Sequence, residues 1–236
     1  MSQLIKRTSD IAVYEDNDWV APPRQSRSRA SMEKVLRAAT TLFTEQGFEE
    51  TSIADIARAS GVSIGAIYNR FADKQAILLA IMEGYRRVRF EQITEMGRPE
   101  RWVGKRAEDI VAFHMEIIFG AFRQDGGVLR LMERQRIVNP VIYDQVHRGN
   151  ALVVSTIARL LEPHAARLAH RDVEGAVRYL HNTIRSAVVW GEIPLTRRPD
   201  APLQAASDAF KREALRMSLA YLGLPTEAAD RMEETR

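Results

Sequence analysis

The sequence predicts an all-α protein. Apolar residues recur every three or four positions through most of the 236 residues, which is the period of an amphipathic helix. No stretch shows the two-residue alternation of a strand, and no segment repeats. Glycine and proline fall between the periodic runs, where helices are expected to end.

Composition narrows the class of protein. The chain has no cysteine, so disulfides, Cys-ligated metals and a Cys nucleophile are excluded. No apolar run is long enough to span a bilayer, and the N-terminus lacks the apolar stretch of a signal peptide, so we expect a cytoplasmic protein. The formal net charge of +3 does not by itself indicate a nucleic-acid binder.

Residues 1–29 show no helical period and are expected to form an N-terminal arm. Residues 1–23 contain two basic and four acidic side chains and include the helix-stopping pair Pro22-Pro23. Arg24, Arg27 and Arg29 then follow without an acid. Such a run is usually a solvated linker, but it can also reach a phosphate backbone or a minor groove.

Four helices are predicted next. The first begins at Ser31 and ends at Gly47, the second follows Thr51-Ser52 and ends at Ser60-Gly61, the third is capped by Ser63, and the fourth runs from Asp73 to about Gly97. Further helices are predicted over 101–123, 128–138, 141–161, 172–191 and 205–222. Gly126-Gly127, Asn139-Pro140, Pro163 and a proline-rich loop separate them.

The stretch 51–71, TSIADIARASGVSIGAIYNRF, is the most informative. Two short helices joined by a tight, glycine-containing turn fit a helix-turn-helix, whose second helix enters the major groove of DNA. The same pattern also occurs in structural αα-hairpins. Residues expected on the outward side are Ser63, Ile64, Ala66, Tyr68, Asn69 and Arg70.

The surrounding motifs resemble those of the TetR family of transcriptional regulators. They comprise LF-x-x-x-GF at the end of the first helix, T-S-I-x-D-I-A-x-x-x-G-V-S, and G-x-I-Y-x-x-F followed by Lys74. The resemblance implies a helix-turn-helix domain over residues 30–76 and an effector-binding and dimerisation domain over 77–236. It also implies a homodimer on a palindromic operator, acting as a ligand-responsive repressor.

By this resemblance, a set of residues in the arm and the helix-turn-helix would contact DNA. It consists of Arg27, Arg29, Thr51, Ser52, Ser63, Ile64, Gly65, Ala66, Tyr68, Asn69, Arg70 and Lys74. Thr51, Ser52, Tyr68 and Lys74 would bind the backbone. Ile64 and Ala66 suit thymine methyl groups, and Asn69 suits adenine, whereas Arg70 could read guanine or bind phosphate.

The larger domain would hold an effector and the dimer interface. Candidate effector contacts are Met82, Tyr85, Trp102, Phe113, His114, Phe119, Met132 and Tyr143. For each of them alone ordinary core packing is the better explanation, and only together do they suggest an apolar pocket. Candidate interface residues are Val177, Leu180, Ile184, Val188, Met217, Leu219 and Tyr221. The last helix carries apolar residues on more than one side, which favours a second buried face.

No motif of an enzyme is found. The chain lacks phosphate-binding and dinucleotide-binding glycine loops, a nucleophile elbow and a zinc-protease motif. The five histidines are scattered, so neither a metal nor a cofactor is expected. The alternative to a regulator is a helical interaction module, or a helical enzyme without cofactor, in which 51–71 is a structural hairpin.

Overall fold

A computed structural model describes residues 26–192 and 208–229, and in these ranges the regular secondary structure is helical. Eight α-helices are described: α1 Ser26–Glu45, α2 Ile53–Ser60, α3 Ile64–Tyr68, α4 Lys74–Met96, α5 Ala107–Gln135, α6 Pro140–Leu161, α7 Val173–Glu192 and α8 Asp208–Tyr221. Short 3₁₀ turns lie at Pro99–Trp102, Glu162–Arg167 and Thr226–Ala228. The predicted all-α class is confirmed.

The chain forms two compact units. The first unit contains the described residues up to Phe90 together with Gly127–Val146, and the second contains Glu91–Gly126 and the described residues from His147 onward. The predicted domain boundary at residue 76 stays a prediction. Within the described residues, no helix is both long and apolar enough to cross a membrane.

The core of the first unit is built around the start of α4. All seven residues from 76 to 82 are buried, so this part of α4 is covered on every side. Met32, Leu36 and Phe43 of α1 pack into the same cluster, together with Ile56 of α2 and Ile67 of α3. The second half of α5 and the start of α6 also join this core through Leu131, Met132, Ile142 and Val146.

Several helix ends form where the sequence predicts them. The Asp73 carboxylate accepts the Ala76 N–H at 2.7 Å, and the Asp172 carboxylate accepts the Gly175 N–H at 2.8 Å. At the start of α6, the Asn139 side-chain oxygen accepts the N–H groups of Val141 and Ile142. These carboxylate and amide oxygens satisfy backbone donors that have no partner inside the helix.

Two predicted boundaries are wrong. Helix α1 begins at Ser26 rather than Ser31, because residues 26–30 contain arginine and alanine and no helix breaker, so the helix extends towards the N-terminus. The helices predicted over 101–123 and 128–138 are one helical span, α5. Its non-helical residue is Asp125, with φ −126° and ψ 26°, just before the two glycines. These glycines accompany a kink and do not end the helix.

Candidate nucleic-acid interface

The turn between α2 and α3 has the geometry of a helix-turn-helix. Gly61 adopts the left-handed conformation with φ 68°, and its N–H donates to Ala57 O at 3.0 Å, which ends α2. Two residues later Ser63 caps α3, its hydroxyl accepting the Ala66 N–H at 3.3 Å. Glycine adopts this conformation without the steric penalty that most residues have there, so Gly61 favours a turn at this point.

The two sides of α3 differ sharply in exposure. Ile67 is 1% exposed and, with Phe71, packs into the core of the first unit. Ile64 is 45% exposed and Tyr68 54% exposed, although both are large and apolar or aromatic. Ser63, Gly65, Ala66 and Asn69 are exposed as well, and Arg70 is half-buried. The outward side predicted from the sequence is therefore available to a partner.

Ser52 forms a capping box with Asp55. The Ser52 hydroxyl accepts the Asp55 N–H at 3.1 Å, and the Asp55 carboxylate accepts the Ser52 N–H at 3.0 Å. Hydrogen bonds from Ser52, with help from the Arg58 guanidinium, hold the pKa of Asp55 below its usual value. Ser52 is exposed, but its hydroxyl and N–H are both engaged at the start of α2.

Two residues predicted to bind phosphate have partners inside the protein. Thr51 is 1% exposed and its hydroxyl donates to Gly47 O at 2.7 Å, so this side chain does not face solvent and its predicted phosphate contact is wrong. The Lys74 ammonium donates to Phe48 O at 2.6 Å and lies 4.3 Å from the centre of the Phe48 ring. Lys74 therefore ties the start of α4 to the loop after α1.

The arm residues are only partly described. Arg29 is exposed but belongs to α1, so it lies on a helix and not in an irregular arm. The side chain of Arg27 lies outside the described part of the chain, as does all of the segment 1–25.

The candidate effector contacts divide between the two units. Met82, Tyr85 and Met132 are buried in the core of the first unit, where packing accounts for them. In the second unit, Phe113 and Phe119 are buried, and the Trp102 and Phe113 ring centres are 4.7 Å apart. Tyr143 is 51% exposed, and its contact with an effector stays a prediction. It lies near the start of α6, next to the buried Ile142.

His114 and His181 form a buried pair that the sequence did not predict. The two rings are 2% exposed, and His114 Nε2 lies 3.0 Å from His181 Nδ1. The two ring planes differ by 12°, and the ring centres are 5.3 Å apart. This distance between centres is longer than the N···N distance by about two ring radii. The rings therefore lie end to end rather than face to face. His181 Nε2 is 3.2 Å from the Asn150 side-chain oxygen.

This arrangement sets the proton positions. Because the Asn150 oxygen can only accept, His181 Nε2 must donate, and in a neutral ring Nδ1 then accepts the proton of His114 Nε2. Burial lowers the pKa of His114 to about 4. Burial, His114 and the charge of Arg185 lower the pKa of His181 well below its usual value. Both rings are therefore neutral at pH 7, and each satisfies the other.

The predicted dimer residues are mostly unavailable. Val177, Leu180, Ile184, Val188 and Leu219 are at most 2% exposed, buried by the chain itself. These five assignments are wrong, because an apolar stripe looks the same whether it packs against its own chain or another. Of the predicted set, Met217 remains exposed and Tyr221 half-buried.

The exposed side of α7 and α8 carries a different aromatic surface. Tyr179 is 58% exposed and its ring stacks on Tyr221, with centres 5.2 Å apart. Tyr221 in turn stacks on His170 at 4.2 Å. Tyr179 was missed by sequence reasoning because it lies off the apolar stripe of α7. A large aromatic residue among the polar positions of an amphipathic helix is the signal that could have revealed it.

Comparison with known proteins agrees with this geometry. Residues 35–81, which include α2 and α3, match the family model of bacterial regulatory proteins, tetR family. The regulator CymR of Pseudomonas putida is 29% identical over 141 residues, covering 50% of this chain and 68% of CymR. Residues 35–81 therefore carry a DNA-binding domain of the TetR type. Seven further curated relatives are matched over 22% to 36% of their lengths.

Solved structures share the fold of this chain. SmeT, the repressor of a multidrug efflux pump in Stenotrophomonas maltophilia, superposes with a TM-score of 0.58 at 21% identity, covering 83% of this chain and 91% of SmeT. A transcriptional regulator from Saccharomonospora viridis, solved with choline, gives 0.61 at 19% identity, covering 84% and 97%. The matched family is one of bacterial regulatory proteins, and CymR is an HTH-type transcriptional regulator.

Proposed function

We propose that this chain is a TetR-family regulator, a homodimeric and ligand-responsive repressor that binds a palindromic operator in the cytoplasm. The observation that carries the proposal is the outward side of α3, where Ile64 and Tyr68 are exposed while Ile67 anchors the helix in the core. Large exposed side chains next to a rigidly held turn are expected where a protein meets a partner. On a helix-turn-helix, that partner is the major groove of DNA.

Each exposed side chain of α3 suits a different feature of DNA. Ile64 and Ala66 offer methyl groups to thymine, and Asn69 has the paired donor and acceptor that adenine presents. Tyr68 would place its hydroxyl on a phosphate. The exposed Ser63 and Gly65 allow close approach of the backbone at the start of the helix. Arg70 and Arg29 would add contacts to phosphate, and the contact proposed for Lys74 would use a donor not engaged by the loop.

Operator binding is tested by a salt titration with DNA from upstream of the protein's own gene and a scrambled competitor. A dimer that neutralises six to ten phosphates should lose about 10³-fold or more in affinity between about 50 and 200 mM salt. The Tyr68→Ala variant should bind more weakly but unfold at the same urea concentration as the wild type. Absence of any sequence preference at every salt concentration would favour the structural-hairpin alternative.

The dimer would use the exposed side of α7 and α8. Tyr179, Tyr221 and Met217 provide apolar area there, and aromatic residues and methionine are enriched at interfaces. Tyr179→Arg should therefore give monomers in sedimentation experiments while the helical signal is retained. Leu219→Arg is the contrasting variant: Leu219 is fully buried in its own chain, so this change should unfold the second unit. A dimer that survives Tyr179→Arg would place the interface elsewhere.

The effector would bind in the second unit, against Trp102, Phe113, His114 and Phe119. The support is a group of aromatic side chains with one polar group, in which Phe113, His114 and Phe119 are buried and Trp102 is half-buried, the composition that small-molecule sites share. The choline complex of the Saccharomonospora viridis regulator shows that a protein of this fold has been solved with a small molecule. Effector binding must favour a state with lower operator affinity, since a ligand shifts an equilibrium only by binding its two states unequally.

A screen of small molecules against the operator complex tests this part of the proposal. An effector should release the DNA and raise the midpoint of thermal unfolding, and both effects should weaken in Phe119→Ala. Loss of DNA release with unchanged thermal stabilisation would move the site away from Phe119.

A further inference from the structure

A cleft in the first unit lies between the loop after α1 and the second half of α5. Its volume is about 210 Å³, whereas pockets for drug-sized ligands usually measure about 300–1,000 Å³, so the cleft suits a smaller molecule. The loop contributes Glu49 and Glu50 to its lining, and α5 contributes Arg130, Arg134 and Gln135. These five side chains are polar and four of them are charged, so the cleft favours a polar ligand.

Gln135 is the most buried of these five residues. It is 9% exposed, and within the described part of the chain its side-chain amide has no hydrogen-bond partner. Neither polar atom of this amide is sealed from solvent, so the amide reaches the cleft that Gln135 lines. An amide has both donors and an acceptor, so it can bond to either polar end of a molecule that enters the cleft. Helix α5 thus presents an unused and nearly buried polar group to the cleft.

The charged side chains of the cleft belong to opposite walls. Arg130 and Arg134 are one turn apart on α5, and Glu49 and Glu50 lie on the loop. Among the described residues, Arg134 and the two carboxylates form no ion pair and no side-chain hydrogen bond. The Glu50 carboxylate lies over Gly47, in the space that a Cβ at residue 47 would fill. Positive charge on one wall and negative charge on the other are therefore both available to a ligand.

We propose that this cleft binds a free amino acid, a small molecule that carries a carboxylate and an ammonium group on one carbon. The Arg134 guanidinium bonds the carboxylate, and Arg130 adds positive charge beside it. The ammonium group donates to the Glu50 carboxylate, and the Gln135 amide bonds the ligand from α5. A molecule with only one of the two charges would be attracted to one wall and repelled by the other. This site is separate from the proposed effector site, which lies in the second unit, and does not depend on it.

Isothermal titration calorimetry of the full chain with each of the common protein amino acids tests the site. At least one of them should bind saturably, with a dissociation constant below about 1 mM. For the tightest of these, the deaminated and the decarboxylated analogues should each bind about tenfold more weakly, because each leaves the charge of one wall unpaired. Equally tight binding of the deaminated analogue would overturn the assignment to an amino acid. Absence of saturable binding by every amino acid up to about 10 mM would overturn the site itself.

Variants show whether the amino acid binds in this cleft. Arg134→Gln should weaken binding of the amino acid and of its deaminated analogue about tenfold, whereas Glu50→Gln should weaken only the amino acid. Gln135→Leu should also weaken binding but should not lower the urea midpoint of unfolding, because the amide that it removes has no partner in the free protein.

Two controls complete this test. Arg37→Gln changes an exposed arginine of α1 that does not line the cleft, so this variant should bind like the wild type. Phe119→Ala alters the proposed effector site of the second unit and should likewise leave binding unchanged. Loss of binding in Phe119→Ala with full binding in Arg134→Gln would refute the cleft and assign the amino acid to the effector site.

Discussion

The buried histidine pair predicts a specific acid sensitivity of the second unit. His114 and His181 are neutral when the protein is folded, because a charged ring would not be solvated at a buried position. The positive charge of Arg185 further disfavours protonation of His181. In the unfolded chain each ring is solvated and takes up a proton at its ordinary pKa of about 6.5. As the pH falls, the rings of the unfolded chain are therefore protonated before those of the folded protein, and the free energy of unfolding decreases.

The size of the effect follows from the pKa of His114, which burial lowers from 6.5 to about 4. Above pH 6.5 neither state is protonated at this ring and the full stability is present. As the pH falls from 6.5 to about 4, the unfolded state binds more protons than the folded state, so stability is lost. The gap between the two pKa values corresponds to about 3 kcal/mol for His114, and His181 adds to the loss in the same direction.

Urea unfolding followed by circular dichroism between about pH 7 and pH 4 measures this loss. Carboxylates also titrate in the window, so the comparison that matters is between variants. His114→Gln should be less stable at pH 7 because His181 loses its partner, and its stability should depend on pH less steeply by about 3 kcal/mol over the window. His164→Gln, which removes a partly exposed histidine outside the pair, is the matched control. Equal pH dependence in the wild type and His114→Gln would refute the reasoning.

Two further predictions concern the helix-turn-helix. Ile67→Ala should destabilise the protein by about 2–5 kcal/mol, because the Ile67 side chain is fully buried. Ile64→Ala should leave the midpoint of unfolding unchanged and weaken operator binding, because Ile64 is exposed. Equal effects of the two changes on stability would mean that α3 is oriented differently. Ser52→Ala should cost about 1 kcal/mol through loss of the capping box, and Ser52→Asp should recover most of it, both read from urea unfolding. A neutral Ser52→Ala would show that Asp55 alone supports the start of α2.

The local features of the helix-turn-helix were readable from the sequence because they depend on neighbouring residues. Capping by Ser52 and Ser63 requires only a hydroxyl at the right offset, and the turn at Gly61 requires only a residue that tolerates positive φ. The period of α3 likewise separates Ile67 from Tyr68. The predicted exposure of the α3 residues is correct because burial of Ile67 leaves a short helix few other ways to pack against the core.

Features that depend on distant residues were not readable. Thr51 appeared to be a free hydroxyl, but the loop brings Gly47 O within reach of it. Leu219 appeared suited to a dimer, but its own chain buries it. The partner of His114 is 67 residues away on another helix, so no local pattern could reveal the pair. In each case residue type and spacing were read correctly, and the contact was decided by tertiary packing.

Leu131, Met132, Ile142 and Val146 share a core with α1–α4, and this limits how such regulators can be recombined. The chain passes between the two units three times, after Phe90, Gly126 and Val146. Consider a chimaera of two such regulators that are joined at residue 76 or 90. Its DNA-reading helices would come from one protein and its residues 127–146 from the other, so the side chains that meet in this core would be mismatched. Chimaeras that exchange operator specificity should therefore fold better when residues 127–146 travel with the N-terminal helices as a second, matched insert.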